Sequence, residues 1–309
     1  MGSLNFALLY IARISGIIAA SLFAAELLQR TGAFAKISFL VRPICRLSHL
    51  SPQSSTAVLS AFLSPSAAAA MLRDFYERKL IGRRELFIAS LSRALPIILM
   101  ESRYMLPVLI PILGTVGLMY YATWVGINAA VTFSVLLAGR LLLPKPCFEE
   151  MRIESRRPSF REAARESLRE FRRPLIRILR IMIPMILASF ILSDLGVFEI
   201  LALKLSSLSS LLPFPPEGLV ITTAYIASPI ASYPLAASLL SQGLLSARDV
   251  ILCLLSGYLL AFPLHIRQLL PHYLGIFGPR PGLELMGMSV GSRSIFVLAA
   301  IGILARFWR

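Results

Sequence analysis

Apolar residues in this 309-residue chain come in runs longer than a water-soluble core needs, separated by short polar stretches. Residues 4–28 form one such run, enough for a single crossing at roughly 20 residues per span. Residues 33–48 differ in pattern. Lys36, Arg42 and Arg46 are interleaved with Phe34, Ile37, Phe39, Leu40, Ile44 and Leu47, an amphipathic arrangement suited to the membrane surface. Residues 52–72 are apolar again but crowded with serines and small side chains around a central Ser64-Pro65. Proline removes a backbone donor and disfavours helix in the residue before it, so the pattern predicts a helix broken there, descending part-way and returning on the same side. Residues 86–142 hold about two spans, with no charge from Tyr104 to Gly139 and with Pro107, Pro111 and Gly114 marking the break. The next stretch, 143–177, is polar and water-exposed. The earlier order then resumes: a span from 178 to about 195, a surface segment to 212, a second broken segment at 216–240, a span over about 249–275 and a last one over about 294–306.

The resumption is a repeat. Laid on itself so that Arg13 meets Arg177, the chain aligns without a gap from Arg13–Gly114 onto Arg177–Gly278. Gly32 meets Gly196, Pro52 meets Pro216, Ser64-Pro65 meets Ser228-Pro229, Arg84 meets Arg248 and Gly114 meets Gly278. Turn formers and helix breakers dominate these matches, and they set backbone geometry. The expected domains are a first repeat at 1–142 with a hairpin at 52–72, a basic connector at 143–177, and a second repeat at 178–309 with a hairpin at 216–240.

Composition agrees with a membrane setting. The chain is 57% hydrophobic and 15% charged, with a mean hydropathy of +0.75, whereas soluble domains carry about 25% charged residues. The N-terminal run has no basic leader and no clean cleavage site, and reads as a retained span. Cys45, Cys147 and Cys253 stand far apart and read as small apolar filler, with no disulfide or metal spacing. The net charge of +15 would suggest nucleic acid in a soluble protein. Here the basic residues lie between apolar runs, where the positive-inside rule accounts for them, so no nucleic-acid partner is expected.

The charges also choose an orientation. If both broken segments turn back, each half has three crossings and the second half is inverted. Arg30, Lys36, Arg42, Arg46, Arg73, Arg78, Lys79, Arg83 and Arg84 flank the first hairpin, against only Lys204 and Arg248 at the equivalent places of the second. That asymmetry fits inverted copies with the first hairpin entering from the cytoplasm. The 143–177 loop, Arg280 and Arg293 then fall inside, and both termini outside. The expected fold class is an all-α polytopic protein of the cell membrane with two inverted-topology repeats.

Three features could carry chemistry. The hairpins would bring freed backbone groups and the side chains of Gln53, Ser60, Ser64, Pro65, Glu217, Thr223, Ser228 and Pro229 toward the bilayer middle; such breaks persist only against protein or a watered cavity. Small polar residues also simply allow close helix packing. Glu101 and Arg103, with His265 and Arg267 at the equivalent places of the second copy, put charge inside long spans, where it is usually paired or functional. Histidine titrates near neutral pH, which makes the Glu101/His265 pair of positions suggestive of proton sensitivity. In the connector, Arg161, Arg165, Arg169 and Arg173 form a stripe beside Glu162, Glu166 and Glu170, a salt-bridged surface helix whose basic side can rest on anionic headgroups. No phosphate loop, zinc spacing or serine elbow occurs, so neither an enzyme activity, a cofactor nor a bound metal is expected.

Two Pro-initiated, Ser-Pro-broken segments, LSPQSSTAVLSAFLSPSAAAAML and FPPEGLVITTAYIASPIASYPLAASLL, each behind a surface helix, resemble the nucleoside-recognition or Gate domain family. That family includes repeats of concentrative nucleoside transporters, the membrane part of ferrous-iron transporter B proteins and spore maturation proteins A and B. The resemblance implies re-entrant hairpins and a small polar, nucleoside-like solute or an ion moving between them, with a coupling cation and self-association both compatible with the plan. It departs from the characterised transporters in its hairpins: the first has Gln53 and hydroxyls but no acid, and the second has Glu217 alone. No GTPase domain accompanies it. The other function in the family is a non-transporting assembly or partner-binding role of the spore-maturation kind, which the thin set of ligands favours.

Overall fold

A computed structural model of the protein describes residues 48–62, 64–144 and 213–307, together with scattered positions within 9–23 and 165–191. Most of the surface segment at 33–48, the one up to 212, most of the first span, of the connector and of its arginine stripe, and the Trp308-Arg309 tail lie outside the described residues. Among those described the regular structure is helical: α1 (Pro52–Ser60), α2 (Pro65–Glu77), α3 (Arg83–Leu91), α4 (Ala94–Leu142), a 3-10 turn (Pro216–Gly218), α5 (Leu219–Ala227), α6 (Pro229–Ser241), α7 (Ala247–Leu260), α8 (Phe262–Phe277) and α9 (Pro279–Phe307). Two stretches are long and apolar enough to cross a membrane, the α3–α4 run Arg83–Leu142 and α9.

The Ser-Pro pairs act on the backbone as their chemistry dictates. Ser64 (φ −151°, ψ 109°) and Ser228 (φ −165°, ψ 130°) are extended, as residues before proline prefer, and a helix begins at the proline of each pair. The helices on either side of each break pack against one another. They are short: 9 and 13 residues in both cases, about 14 and 20 Å at 1.5 Å per residue.

α4 is not one rod of 49 residues. Gly114 has φ 58° and ψ −131°, a conformation that side chains with a Cβ avoid, and the chain reverses there. Hydrogen bonds across the reversal pair its two limbs. The Tyr121 hydroxyl donates to Ile98 O at 3.4 Å, and Thr132 Oγ1 accepts from Leu95 N–H at 3.0 Å and donates to Ser92 O at 3.4 Å. Thr132 thereby satisfies backbone groups freed where α3 passes into α4 at Ser92-Arg93. Gly278 (φ 81°) makes the corresponding turn between α8 and α9. The break expected at Pro107, Pro111 and Gly114 is therefore at Gly114, and both prolines sit within the preceding limb.

Boundaries recur in the register found in the sequence. Helix starts at Pro65 and Pro229, helix ends at Glu77 and Ser241, helix starts at Arg83 and Ala247, and the reversing glycines Gly114 and Gly278 all fall on matched positions. Packing recurs as well, crosswise. α2 leans on α8 and α3 on α9; α6 and α7 lean on α4; α4 and α9 touch each other. One apolar cluster holds Phe62, Leu72 and Leu86 with Phe277 and Leu285; a second holds Leu109, Tyr120 and Trp124 with Ile221, Leu239 and Leu252. Each core thus takes side chains from both halves.

Polar contacts fix where the helix ends lie. Arg83, at the start of α3, pairs with Glu284 near the start of α9. Arg73 of α2 donates to Phe277 O at the same end. Arg248, at the start of α7, instead donates to Leu304 O (3.2 Å) and Ala305 O (2.5 Å) at the far end of α9. Glu284 and Leu304 are about 30 Å apart along one helix, at 1.5 Å per residue. The starts of α3 and α7, which the repeat makes equivalent, sit at opposite ends of α9.

Candidate functional site

The hairpin hydroxyls bond chiefly to their own helices. Thr56 donates to Pro52 O (2.8 Å), Ser60 to Ala57 O (2.7 Å), Thr223 to Leu219 O (2.7 Å) and Ser232 to Pro229 O (2.6 Å). These are i−3 and i−4 back-bonds, a usual way for a hydroxyl in an apolar helix to satisfy itself. Thr222 reaches further, donating to Gly218 O (3.1 Å) and to Cys253 O of α7 (3.2 Å). Ser64 Oγ accepts from Ala67 N–H (3.2 Å) and so caps α2, whereas the Ser228 side chain caps nothing. Gln53 and Ser60 are partly buried; Thr223 and Pro229 are exposed. Glu217 lies in the 3-10 turn before α5, with its Oε2 buried and without a hydrogen bond. The two hairpins pack on different helices, and the side chains named from the sequence are not gathered into one ligand set.

Two of the four span positions share a charged neighbour that the sequence placed on the cytoplasmic side. Arg293 stands in the middle of α9, because that helix begins at Pro279, well before the expected 294. Arg293 is the charged neighbour of both Glu101 and His265, positions that the repeat matches to each other. Arg103 lies over the Tyr104 ring, with 4.5 Å from its guanidinium carbon to the ring centroid, a cation–π contact. The Arg267 side chain lies outside what the structure describes.

Two further groups gather beside the breaks. The first is aromatic. Tyr233 of α6, Tyr120 and Trp124 of α4, Tyr258 of α7 and His265 of α8 follow one another ring to ring, with centroids 6.5, 6.3, 4.7 and 4.7 Å apart. Tyr225 of α5 adjoins Tyr120. Tyr120 Oη, Trp124 Nε1 and Asn128 Oδ1 are buried there without a well-formed hydrogen bond, although Tyr120 and Trp124 are polar neighbours. The second group is Arg93, at the α3–α4 joint. It donates through Nη1 to Pro65 O (3.0 Å) and through Nε to Ser90 O (3.2 Å). At the equivalent place in the second half stands Gly257. Tyr225 packs so closely on it that a Cβ there would lie 2.6 Å from the Tyr225 Cβ. One break is therefore braced by a guanidinium and the other by a ring.

Arg93 and the aromatic row escape a linear reading. The rings span Tyr120 to His265, with no local spacing to join them. Arg93 did carry a signal: the self-alignment sets it against a glycine. Among the described residues no cluster of three or more metal-ligating side chains occurs.

No protein-family model matches the chain, and no solved structure matches it. It is similar to three uncharacterized proteins of Methanocaldococcus jannaschii. MJ1556 is 28% identical over 269 residues, covering 87% of this chain and 86% of its own length. MJ0871 is 26% identical over 306 residues, covering 97% and 96%. MJ0880 is 27% identical over 286 residues, covering 89% and 91%. The likeness to MJ0871 therefore runs through both halves.

Proposed function

We propose that the chain is a multi-pass protein of the cell membrane, built of two inverted repeats, that moves a small polar solute or ion between two re-entrant hairpins, α1–α2 and α5–α6. The observation that carries this reading is the position of the equivalent helix starts. Arg83 and Arg248 contact opposite ends of α9, about 30 Å apart, which is the thickness of a bilayer's hydrocarbon core. Parallel copies would bring both starts to one end. The hairpin helices, at 9 and 13 residues, are too short to cross that distance, and each hairpin begins its second arm at a Ser-Pro break. Arg73, Arg78 and Arg83 then share the cytoplasmic side with the 143–177 loop, as the positive-inside rule favours. The likeness of the two Ser-Pro segments to the nucleoside-recognition family supports a nucleoside-like solute. Alternating access would rock one set of spans and hairpins against the other.

A second reading rests on a specific observation. Thr56, Ser60, Thr223 and Ser232 already donate to their own helices, which leaves few hydroxyls for a solute and suits a non-transporting assembly role. Uptake into proteoliposomes separates the two. Transport predicts accumulation of a labelled nucleoside or cation under an imposed gradient, reduced at least tenfold by Ser64→Leu or Ser228→Leu. Absence of flux under every gradient, with the same variants keeping the cellular role intact, would leave the assembly reading.

A further inference from the structure

Arg93 is the only charged side chain among the described residues that is fully buried, at 5% exposure. It stands about 15 Å past Arg83 along the α3–α4 run and so near half the depth of a bilayer core. A cation there costs several kcal/mol unless an anion answers it. The ion pairs among the described residues are Arg73–Glu77, Arg78–Asp74 and Arg83–Glu284, and none includes Arg93. Its titratable neighbours are Tyr273 and His272 of α8, neither of them a carboxylate. A guanidinium has five N–H donors. Two are engaged by Pro65 O and Ser90 O, and three remain.

The carbonyl that Arg93 holds belongs to the first turn of a 13-residue helix. Pro65 has no N–H, Ala67 N–H is capped by Ser64 Oγ, and Ala68 N–H bonds Ser64 O. Ser66 N–H has no partner among the described residues. The first turn of α2 therefore presents a backbone donor and the positive end of a helix dipole, and Arg93 is anchored on the carbonyl of that same turn. The equivalent break holds Gly257 and an aromatic ring, so the cationic arrangement belongs to one half alone.

We propose that the Ser64–Pro65 break is an anion site, in which Arg93 and the first turn of α2 hold a small oxyanion, a carboxylate or a phosphate. This rests on the reading of a solute path at the hairpins and sharpens the solute to an anionic one. The planar fork of the guanidinium matches two oxygens of one oxyanion, which a halide does not offer. The depth of Arg93 separates the ligand from a lipid headgroup, which stays at the surface.

The test is the melting midpoint of the purified full chain in phospholipid-free detergent, titrated with inorganic phosphate, acetate or chloride at matched ionic strength. Phosphate and acetate are expected to raise the midpoint saturably by several degrees, as ligands of the native state do, and chloride is not. Arg93→Lys keeps the charge, loses the fork and should weaken the half-saturating concentration about tenfold, a loss of about 1.4 kcal/mol. Arg93→Gln should abolish the response, whereas Arg248→Gln should keep it. No response of the unmodified chain beyond chloride would overturn the site. So would an unchanged phosphate response in Arg93→Lys and Arg93→Gln, which would make Arg93 a clamp on Pro65 O. An Arg93-dependent response in a chain that carries no anion across proteoliposomes would uphold the site and defeat the transport reading.

Discussion

The two Ser-Pro breaks begin from the same dipeptide and share a backbone, yet they are held by different chemistry. At Ser64-Pro65 the serine caps the following helix through its hydroxyl and Arg93 braces the proline carbonyl. At Ser228-Pro229 the hydroxyl caps nothing, and Tyr225 closes onto Gly257. The dipeptide is common to both breaks, where proline removes a donor and disfavours helix in the residue before it. What occupies the break is decided further along each half, at Arg93 and at Gly257. Two segments with one break geometry can in this way hold two chemistries.

That contrast can be broken experimentally. The largest effect is expected at Gly257. A methyl there would lie 2.6 Å from Tyr225 Cβ and 2.8 Å from its Cγ, so Gly257→Ala should destabilise by about 1–3 kcal/mol through overpacking, seen as a drop in the melting midpoint in detergent. An unchanged midpoint would mean that the second break is loosely held. A smaller effect is expected at the caps. Ser64→Ala should lose about 1 kcal/mol with its helix cap, whereas Ser228→Ala, with no cap bond to lose, should stay within about 0.5 kcal/mol. Equal losses at both serines would erase the distinction drawn between the breaks.

Much of this was legible in the chain. Ser64-Pro65, Ser228-Pro229 and Gly114 announced their breaks because proline and glycine act locally, on their own φ and their neighbours'. The register of the repeat carried over to helix boundaries for the same reason. The start of α9 was misplaced, since Pro279, Arg280, Pro281 and Gly282 look like a loop in sequence. Proline in the first turn is in fact a helix start, and the correction moves Arg293 from the cytoplasmic side to mid-helix. Arg93 showed only as a mismatch with Gly257 in the self-alignment, and the row from Tyr233 to His265 depends on which helices meet, which leaves no local trace. Of the hydroxyls named from the sequence, residue type could not say that Ser60 and Thr223 would turn back onto their own carbonyls.

The central claim is that equivalent points of the two halves face opposite sides of the membrane, and labelling tests it directly. Arg78→Cys and Gln242→Cys, matched positions of the repeat and both exposed, can each be made in a chain whose Cys45, Cys147 and Cys253 are replaced by serine. A membrane-impermeant maleimide added to intact cells should label position 242 at once and position 78 only after permeabilisation. Labelling of both from the same side would contradict the inverted plan.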